Sequence, residues 1–97
     1  MIFPAMMKFN LGRLAITPAA LTSVPVDDIC HAIDNHVCGI WGNVSAEARA
    51  ENEHALLTDS PLLSVYHAPD GKEFRVLTTG DRFTTTVHLP SDSILNH

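Results

Sequence analysis

Carboxylate side chains are concentrated in one part of this sequence. Between residues 27 and 59 seven acids are opposed by one basic residue, Arg49, which gives this segment a formal charge of −6. The rest of the chain has five basic and four acidic residues, a formal charge of +1. Because fixed anions attract basic partners, we take the seven acids as candidate partner-binding residues. They are Asp27, Asp28, Asp34, Glu47, Glu51, Glu53 and Asp59.

The spacing of these acids places several of them on common helix faces. Glu47 and Glu51 are four residues apart, which on a helix is about 6 Å along the axis, and like charges at this spacing destabilise an isolated helix. Asp27 and Asp34 are seven apart and share a face. Rows of anions at such intervals imitate the phosphates of a nucleic acid and would bind a basic groove with release of counterions. The alternative is that they form the solvated faces of ordinary acidic helices.

Length and composition indicate a single domain over residues 1–97. Residues 1–10 are expected to form a loose leader and residues 91–97 a frayed tail. The net charge of −5 and the six scattered Lys and Arg residues argue against direct binding to nucleic acid. Cys30 and Cys38 would lie about 12 Å apart along one helix, beyond the reach of a disulfide, which indicates reduced thiols and a cytoplasmic protein. Because the chain has no apolar run of roughly 18 residues, we expect no contact with a membrane. We also expect a monomer.

Metal sites and catalytic motifs are not indicated. His31 and His36 are five residues apart, about 140° around a helix, and the chain has no CxxC or HExxH motif. It also lacks a nucleophile elbow, a phosphate-binding loop and a dinucleotide fingerprint. We therefore expect no enzyme activity, no metal and no cofactor. A small enzyme or a metal-dependent regulator remains an alternative if a pocket collects some of the histidines His31, His36, His54, His67 and His88.

The first half of the chain predicts one strand followed by helices. Residues 12–17 alternate as a strand does, and Thr17 with Pro18 begins a brief helical turn. The main helix stacks Ile29, Ile33 and Val37, ends at Gly39 or Gly42, and is followed by Trp41, which we expect to fill the junction between helix and sheet. Ser45 begins a further helix that runs to about Leu57.

In the second half of the chain, apolar residues recur at every second position, which predicts three strands, over residues 62–68, 73–79 and 83–89. Their predicted inner faces carry Leu63 and Val65, then Phe74 and Val76, then Phe83, Val87 and Leu89. The turns PDGK and GDR favour an antiparallel meander. The predicted fold is α+β with two layers: a small antiparallel sheet of three to four strands, covered on one face by two to three helices.

Five blocks of the chain resemble a family of short proteins from plasmids and other mobile elements: LGRLAITPAAL (11–21), HVCGIWG (36–42), ENEHAL (51–56), LLSVY (62–66) and VLTTGDRFTTTVHLP (76–90). Among such proteins the chain looks most like a phage-type anti-CRISPR inhibitor of the type I-F surveillance complex. That resemblance implies a DNA mimic in the bacterial host, bound at the basic surface of the complex where the target duplex and its PAM are recognised. The alternative is a general interaction or restriction-associated accessory module of mobile elements, whose sheet contacts the partner through residues such as Arg75, Thr84 and Thr86.

Overall fold

The structure is a computed structural model, and it describes residues 6–92. Its helices and strands are, in chain order, β1 (Arg13–Ile16), α1 (Pro18–Ser23), α2 (Val26–Val37), α3 (Ala46–Thr58), β2 (Leu62–His67), β3 (Glu73–Thr78) and β4 (Thr84–His88). The α+β class predicted from the sequence is confirmed. No helix in this range is long and apolar enough to cross a membrane.

The helix ends follow from local side-chain and glycine chemistry. The Thr17 hydroxyl accepts the Ala20 amide at the start of α1, and the Ser45 hydroxyl accepts the Ala48 amide at the start of α3. At the end of α2, Gly39 has a φ of 78°, which lets the amides of Gly39 and Ile40 turn back onto the last carbonyls of the helix. Of the two predicted stop signals, Gly39 ends α2.

The sheet has the order β1-β4-β3-β2 and is mixed. β2, β3 and β4 form the predicted antiparallel meander, whereas β1 runs parallel to β4, so the prediction of a purely antiparallel sheet was wrong for β1. β2 and β4 run in the same direction because both are antiparallel to β3. β1 also runs in this direction, because the three helices between β1 and β2 form a long crossover that returns the chain to the starting end of the sheet before β2 begins. The long connection therefore decides the direction of β1.

One face of the sheet packs against the helices and forms the main core. Phe74 and Val76 of β3 are buried there, as predicted, and Val87 of β4 lies beside Val76 on the same face. These side chains contact buried residues of the helical segment: Ala20, Val24, Ile29 and Ala32. The helices thus cover one face of the sheet, which confirms the two-layer arrangement.

The inner face of β2 differs from the predicted one. Leu62 and Ser64 are fully buried, whereas the predicted Leu63 and Val65 are half-buried on the opposite face. A shift of one residue moves every side chain of a strand to the other face. In the observed register, Ser64 reaches a buried histidine of α2. Phe83, also predicted to face the core, precedes β4 and is 74% exposed.

The outer edge of β2 is covered by other parts of the chain. The Asn52 side chain, 5% exposed on α3, donates to the Leu63 carbonyl (2.8 Å) and accepts from the Leu63 amide (3.1 Å). The Val65 amide donates to the Trp41 carbonyl, and the Val65 carbonyl accepts from Asn43. Backbone groups that would be open on an edge strand are therefore all paired along this stretch.

Parts of the predicted leader and tail are packed. The Lys8 amide donates to the Val37 carbonyl, and the Phe9 ring stacks on Trp41 with a centroid distance of 6.3 Å. Asp92 accepts from the Leu89 amide and from the Thr17 hydroxyl. The predicted loose leader and frayed tail are thus wrong for these residues, while residues 1–5 and 93–97 lie outside the described range.

Candidate partner-binding site

The three acids of α2 do not all face the same way. Asp27 and Asp34 are about 20° apart around the helix axis and lie away from the buried stripe that contains Ile29 and Ala32. Asp28 is turned by about 100° from Asp27 toward the sheet. There it lines a groove of about 130 Å³ with His31, Asn35 and His67.

The acids of α3 fall on two sides of its buried stripe. Glu47 and Glu51 are exposed and about 40° apart around the axis, on one flank of the line formed by Asn52 and Ala55. Glu53 lies on the other flank, where its Oε2 accepts from Trp41 Nε1 at 2.8 Å. Glu53 therefore supports the fold, a role that the charge pattern did not indicate.

Asp59 occupies the end of α3 in a left-handed conformation, with a φ of 54°. Its amide donates to the Ala55 carbonyl and ends the helix, while its side chain is exposed. The helix end is completed by Arg82 of the β3–β4 turn, whose guanidinium donates to the carbonyls of Ala55 (2.8 Å) and Ser60 (2.7 Å). Asp59 thus stands apart from the Glu47 and Glu51 pair, at the opposite end of α3.

The two acidic helices lie over different strands, α2 against β3 and α3 beside β2. The seven predicted residues accordingly form an α2 group and an α3 group, with Asp59 beyond the latter. Within residues 6–92 Glu73 makes an ion pair with Arg75 at 2.8 Å, and the Nε2 atom of His67 lies 3.9 Å from Glu73 Oε1. Six of the seven side chains, all except Glu53, make no hydrogen bond or ion pair in that range, so their charge is not neutralised within the described chain.

A second groove, of about 340 Å³, lies between α3 and the segment that follows α2. Arg49 and Glu53 line it from α3, opposite Ile40 and Trp41. Ile40 is 56% exposed, and Arg49 has no ion pair in the described part of the chain. The groove thus combines an apolar side chain, a cation and a carboxylate that is already engaged with Trp41.

The polar centre of the molecule is His36, which the sequence did not indicate. This α2 side chain is 0% exposed and lies between the rings of Phe9 and Trp41, at centroid distances of 5.2 and 5.7 Å. Its Nδ1 is 2.5 Å from Ser64 Oγ, and its Nε2 is 2.9 Å from Thr78 Oγ1. Both ring nitrogens therefore have partners inside the core.

The hydrogen bonds around His36 continue to the backbone of the first segment. Thr85 Oγ1 donates to the Leu11 carbonyl at 2.7 Å, so its one proton is used there. Thr78 must then donate to Thr85, at 2.7 Å, and accept from His36 Nε2–H. This leaves Nδ1 as the acceptor for the Ser64 hydroxyl. The four bonds run in one direction and require the neutral imidazole that carries its proton on Nε2.

Burial and the nearby Arg82 guanidinium lower the pKa of His36 to about 3. The ring is thus neutral at physiological pH, as the hydrogen-bond chain requires. Although Ser64 and His36 are in contact, as a nucleophile and its base would be, both are 0% exposed. A sealed pair of this kind cannot reach a substrate, and it stabilises the core instead.

The other histidines are distributed over the surface and the sheet. His31 and His67 line the smaller groove, and His54 is exposed on α3. His88 is 6% exposed, and its Nε2 has no hydrogen-bond partner. Between residues 6 and 92 no three His, Cys, Asp or Glu side chains are grouped so that they could hold a metal ion. The two cysteines are free, exposed at Cys30 and half-buried at Cys38.

Comparison of the chain with protein-family models, with curated proteins and with solved structures gives no match. The resemblance to mobile-element proteins described above therefore stays a prediction from the sequence.

Proposed function

We propose that this protein is a non-enzymatic inhibitor that binds the basic DNA-recognition surface of a type I-F CRISPR surveillance complex through its acidic helices. One observation carries the proposal: the acids of α2 and α3 other than Glu53, exposed at Asp27, Glu47 and Glu51 and half-buried at Asp28 and Asp34, have no cationic partner among the described residues. Evenly distributed surface charge would give such acids nearby Lys or Arg side chains. Here Arg49 is the one Lys or Arg among the two helices, and the other basic residues of the chain lie outside α2 and α3.

The physical basis is competition for the same cations that hold DNA. Unpaired carboxylates on a rigid helix need no reorganisation before they contact Lys and Arg side chains, and their field steers the encounter. Binding would release the anions that accompany the basic surface, so affinity would fall with added salt. An inhibitor of this kind uses no cofactor, does not contact DNA itself and acts in the cytoplasm of the bacterial host.

The proposal is tested by a pull-down with a purified type I-F surveillance complex, followed by competition with duplex DNA that contains the PAM. The informative variant is Glu47→Gln with Glu51→Gln, which removes two charges from the exposed flank of α3. Its matched control is Thr84→Lys with Thr86→Lys, which changes the net charge by the same +2 on the opposite face of the sheet. Thermal unfolding of each variant checks that the fold is kept.

We expect the glutamine pair to weaken binding by about 0.4–2 kcal/mol, or roughly 2- to 30-fold, because exposed charge contacts contribute about 0.2–1 kcal/mol each. The lysine pair should have a smaller effect. The salt dependence of binding should also become less steep in the glutamine pair alone. No binding by the wild type, or equal losses in both variants, would refute the proposal.

A second candidate function is the accessory module that uses its sheet. The described helices cover one face only, so the opposite face presents Leu63, Val65 and Leu77 half-buried beside Thr86. Arg75 on that face is already paired with Glu73 at 2.8 Å. If this face binds the partner, the lysine pair will abolish binding in the experiment above and the glutamine pair will not.

A further inference from the structure

The two edges of the sheet differ in how their backbone groups are paired. The edge formed by β2 is covered by Asn52 and by the segment Trp41 to Asn43. The other edge is formed by β1, which pairs with β4 on one side. No hydrogen bond from the described residues reaches the other side of β1. The strand is also accessible, since Arg13, Leu14 and Ala15 are exposed.

The open groups on β1 can be assigned from its register. The amides of Arg13 and Thr17 donate to the carbonyls of Phe83 and Val87, so the odd-numbered residues point their backbone groups at β4. Leu14 and Ile16 point theirs away from the sheet, because alternate residues of a parallel strand bond to opposite sides. Among residues 6–92, the two amides and two carbonyls of Leu14 and Ile16 have no hydrogen-bond partner, and they point to where a further strand could pair.

We propose that a second copy of this chain occupies this edge, with the two β1 strands antiparallel about a two-fold axis through Ala15. In this register Leu14 lies opposite Ile16 of the second copy, and Ile16 opposite its Leu14. Each of these pairs exchanges two backbone hydrogen bonds, so four bonds form. The two Ala15 residues face each other without a steric conflict because their side chains are small. Leu14, 45% exposed in the single chain, then packs against Ile16 of the second copy.

Charge complementarity supports this occupant and this direction. Arg13 lies opposite Thr17 of the second copy, and in each chain the Thr17 hydroxyl donates to Asp92 Oδ2 at 2.6 Å. Hydrogen bonds from Thr17 and from the Leu89 amide hold the pKa of Asp92 below its ordinary value, which keeps it ionised. Arg13 has no ion pair within residues 6–92. In the proposed dimer, two symmetric Arg13–Asp92 pairs thus flank the four backbone bonds.

Oxidative crosslinking tests the register directly. The variant Ala15→Cys is made in a chain that also carries Cys30→Ser and Cys38→Ala. Opposite residues that do not exchange hydrogen bonds have Cα atoms about 4.5 Å apart, within the range of a disulfide. We expect a covalent dimer from Ala15→Cys and none from the matched control Leu14→Cys, whose equivalent in the second copy lies two residues away. Crosslinking of both variants to the same low extent, or of neither, overturns the proposed register.

Sedimentation of the otherwise unmodified protein tests the dimer itself. Arg13→Glu should weaken association about tenfold, because two ion pairs become two repulsive contacts. Lys72→Glu makes the same charge change in the exposed β2–β3 turn and should leave association unchanged. Leu14→Pro removes an amide that β4 does not use, so it should prevent association and leave the fold intact, as measured by circular dichroism. A wild type that stays monomeric up to about 1 mM overturns the proposal.

Discussion

Acidification should destabilise this protein mainly through one side chain, His36. In the folded state its pKa is about 3, whereas the ordinary value is 6.5. Between about pH 6.5 and about pH 3 the unfolded chain therefore binds one more proton at this site than the folded chain does. Since stability decreases as the pH is lowered wherever the unfolded state holds more protons, the free energy of unfolding should decrease from about pH 6.5 down to about pH 3. Above it, the contribution of His36 is constant.

The size of the effect follows from the difference between the two pKa values. Each unit corresponds to about 1.4 kcal/mol, so the full loss at this site is about 5 kcal/mol, reached only below about pH 3. At about pH 5 the loss is already about 2 kcal/mol, and at about pH 4 it is about 3 kcal/mol. These losses are large beside the roughly 5–15 kcal/mol total stability of a small domain. The physical reason is that protonation would place a charged imidazole in the core, and Nδ1 would then donate to Ser64 Oγ instead of accepting from it.

The assay is urea unfolding at several values between about pH 7 and about pH 4, monitored by the fluorescence of Trp41, which packs on His36. His36→Gln keeps one donor and one acceptor for Thr78 and Ser64 but does not titrate, so its stability should depend less on pH by the amounts above. His54→Gln, at an exposed position of α3, is the matched control and should follow the wild type. The reasoning is refuted if His36→Gln and the wild type lose stability in parallel. If His36→Gln does not fold, nitrogen NMR of the His36 ring decides, because a ring protonated at about pH 5 would exclude a pKa near 3.

Three further predictions concern single positions. Asn52→Ala should lower the free energy of unfolding by about 2–4 kcal/mol, because both backbone groups of Leu63 lose their hydrogen-bond partner. A change below about 0.5 kcal/mol would show that water replaces the Asn52 amide. Arg82→Lys keeps the charge but loses the two-pronged guanidinium that donates to the carbonyls at the end of α3. Chemical unfolding should show a free energy of unfolding lower by about 2 kcal/mol, and a variant as stable as the wild type would contradict this role. Gly42→Ala should lower the free energy of unfolding by at least about 3 kcal/mol, because its Cβ would lie 2.1 Å from the Val65 carbonyl oxygen. Gly71→Ala, with a φ of 88° and open space around the Cβ, should lower it by about 1–2 kcal/mol. The reverse order in thermal unfolding would refute this account.

Elements whose ends depend on local chemistry were predictable from the sequence. The Ser45 hydroxyl begins α3 one residue before Ala46, and Gly39 ends α2 through a left-handed backbone. The alternation of Phe74 and Val76 also gave the correct buried face of β3. In each case the signal and its cause lie within a few residues of each other.

Predictions failed where a polar side chain belongs to the core. Apolar alternation selected Leu63 and Val65 for the inner face of β2, but Ser64 is buried there because His36 needs a donor. One signal was present: His36 is seven residues after Ile29 and so lies on the same stripe of α2. The parallel pairing of β1 with β4 had no local signal, because it depends on which edge the helices leave accessible.

The placement of the candidate acids on α2 and α3 was predictable from the sequence, but their arrangement in space was not. The charge pattern found the acids of both helices, and those at the surface, such as Glu47 and Glu51, are exposed as expected. It could not show that Glu53 accepts from Trp41, because that contact depends on how α3 lies beside the segment after α2. Nor could it show that the acids form two groups on helices that pack over different strands.

The pairing of β1 with β4 also decides when the chain can fold during its synthesis. The first strand leaves the ribosome early, yet its sheet partner, Thr84–His88, is made about 70 residues later. At roughly 5–20 residues per second, Leu14 and Ile16 wait several seconds with no strand on either side. Within that interval all residues of the β2–β3 hairpin are synthesised. The Leu11 carbonyl, however, still lacks the Thr85 hydroxyl that donates to it in the folded protein. The nascent chain thus cannot complete its sheet until β4 has been translated, and β1 and β4 are then fixed together.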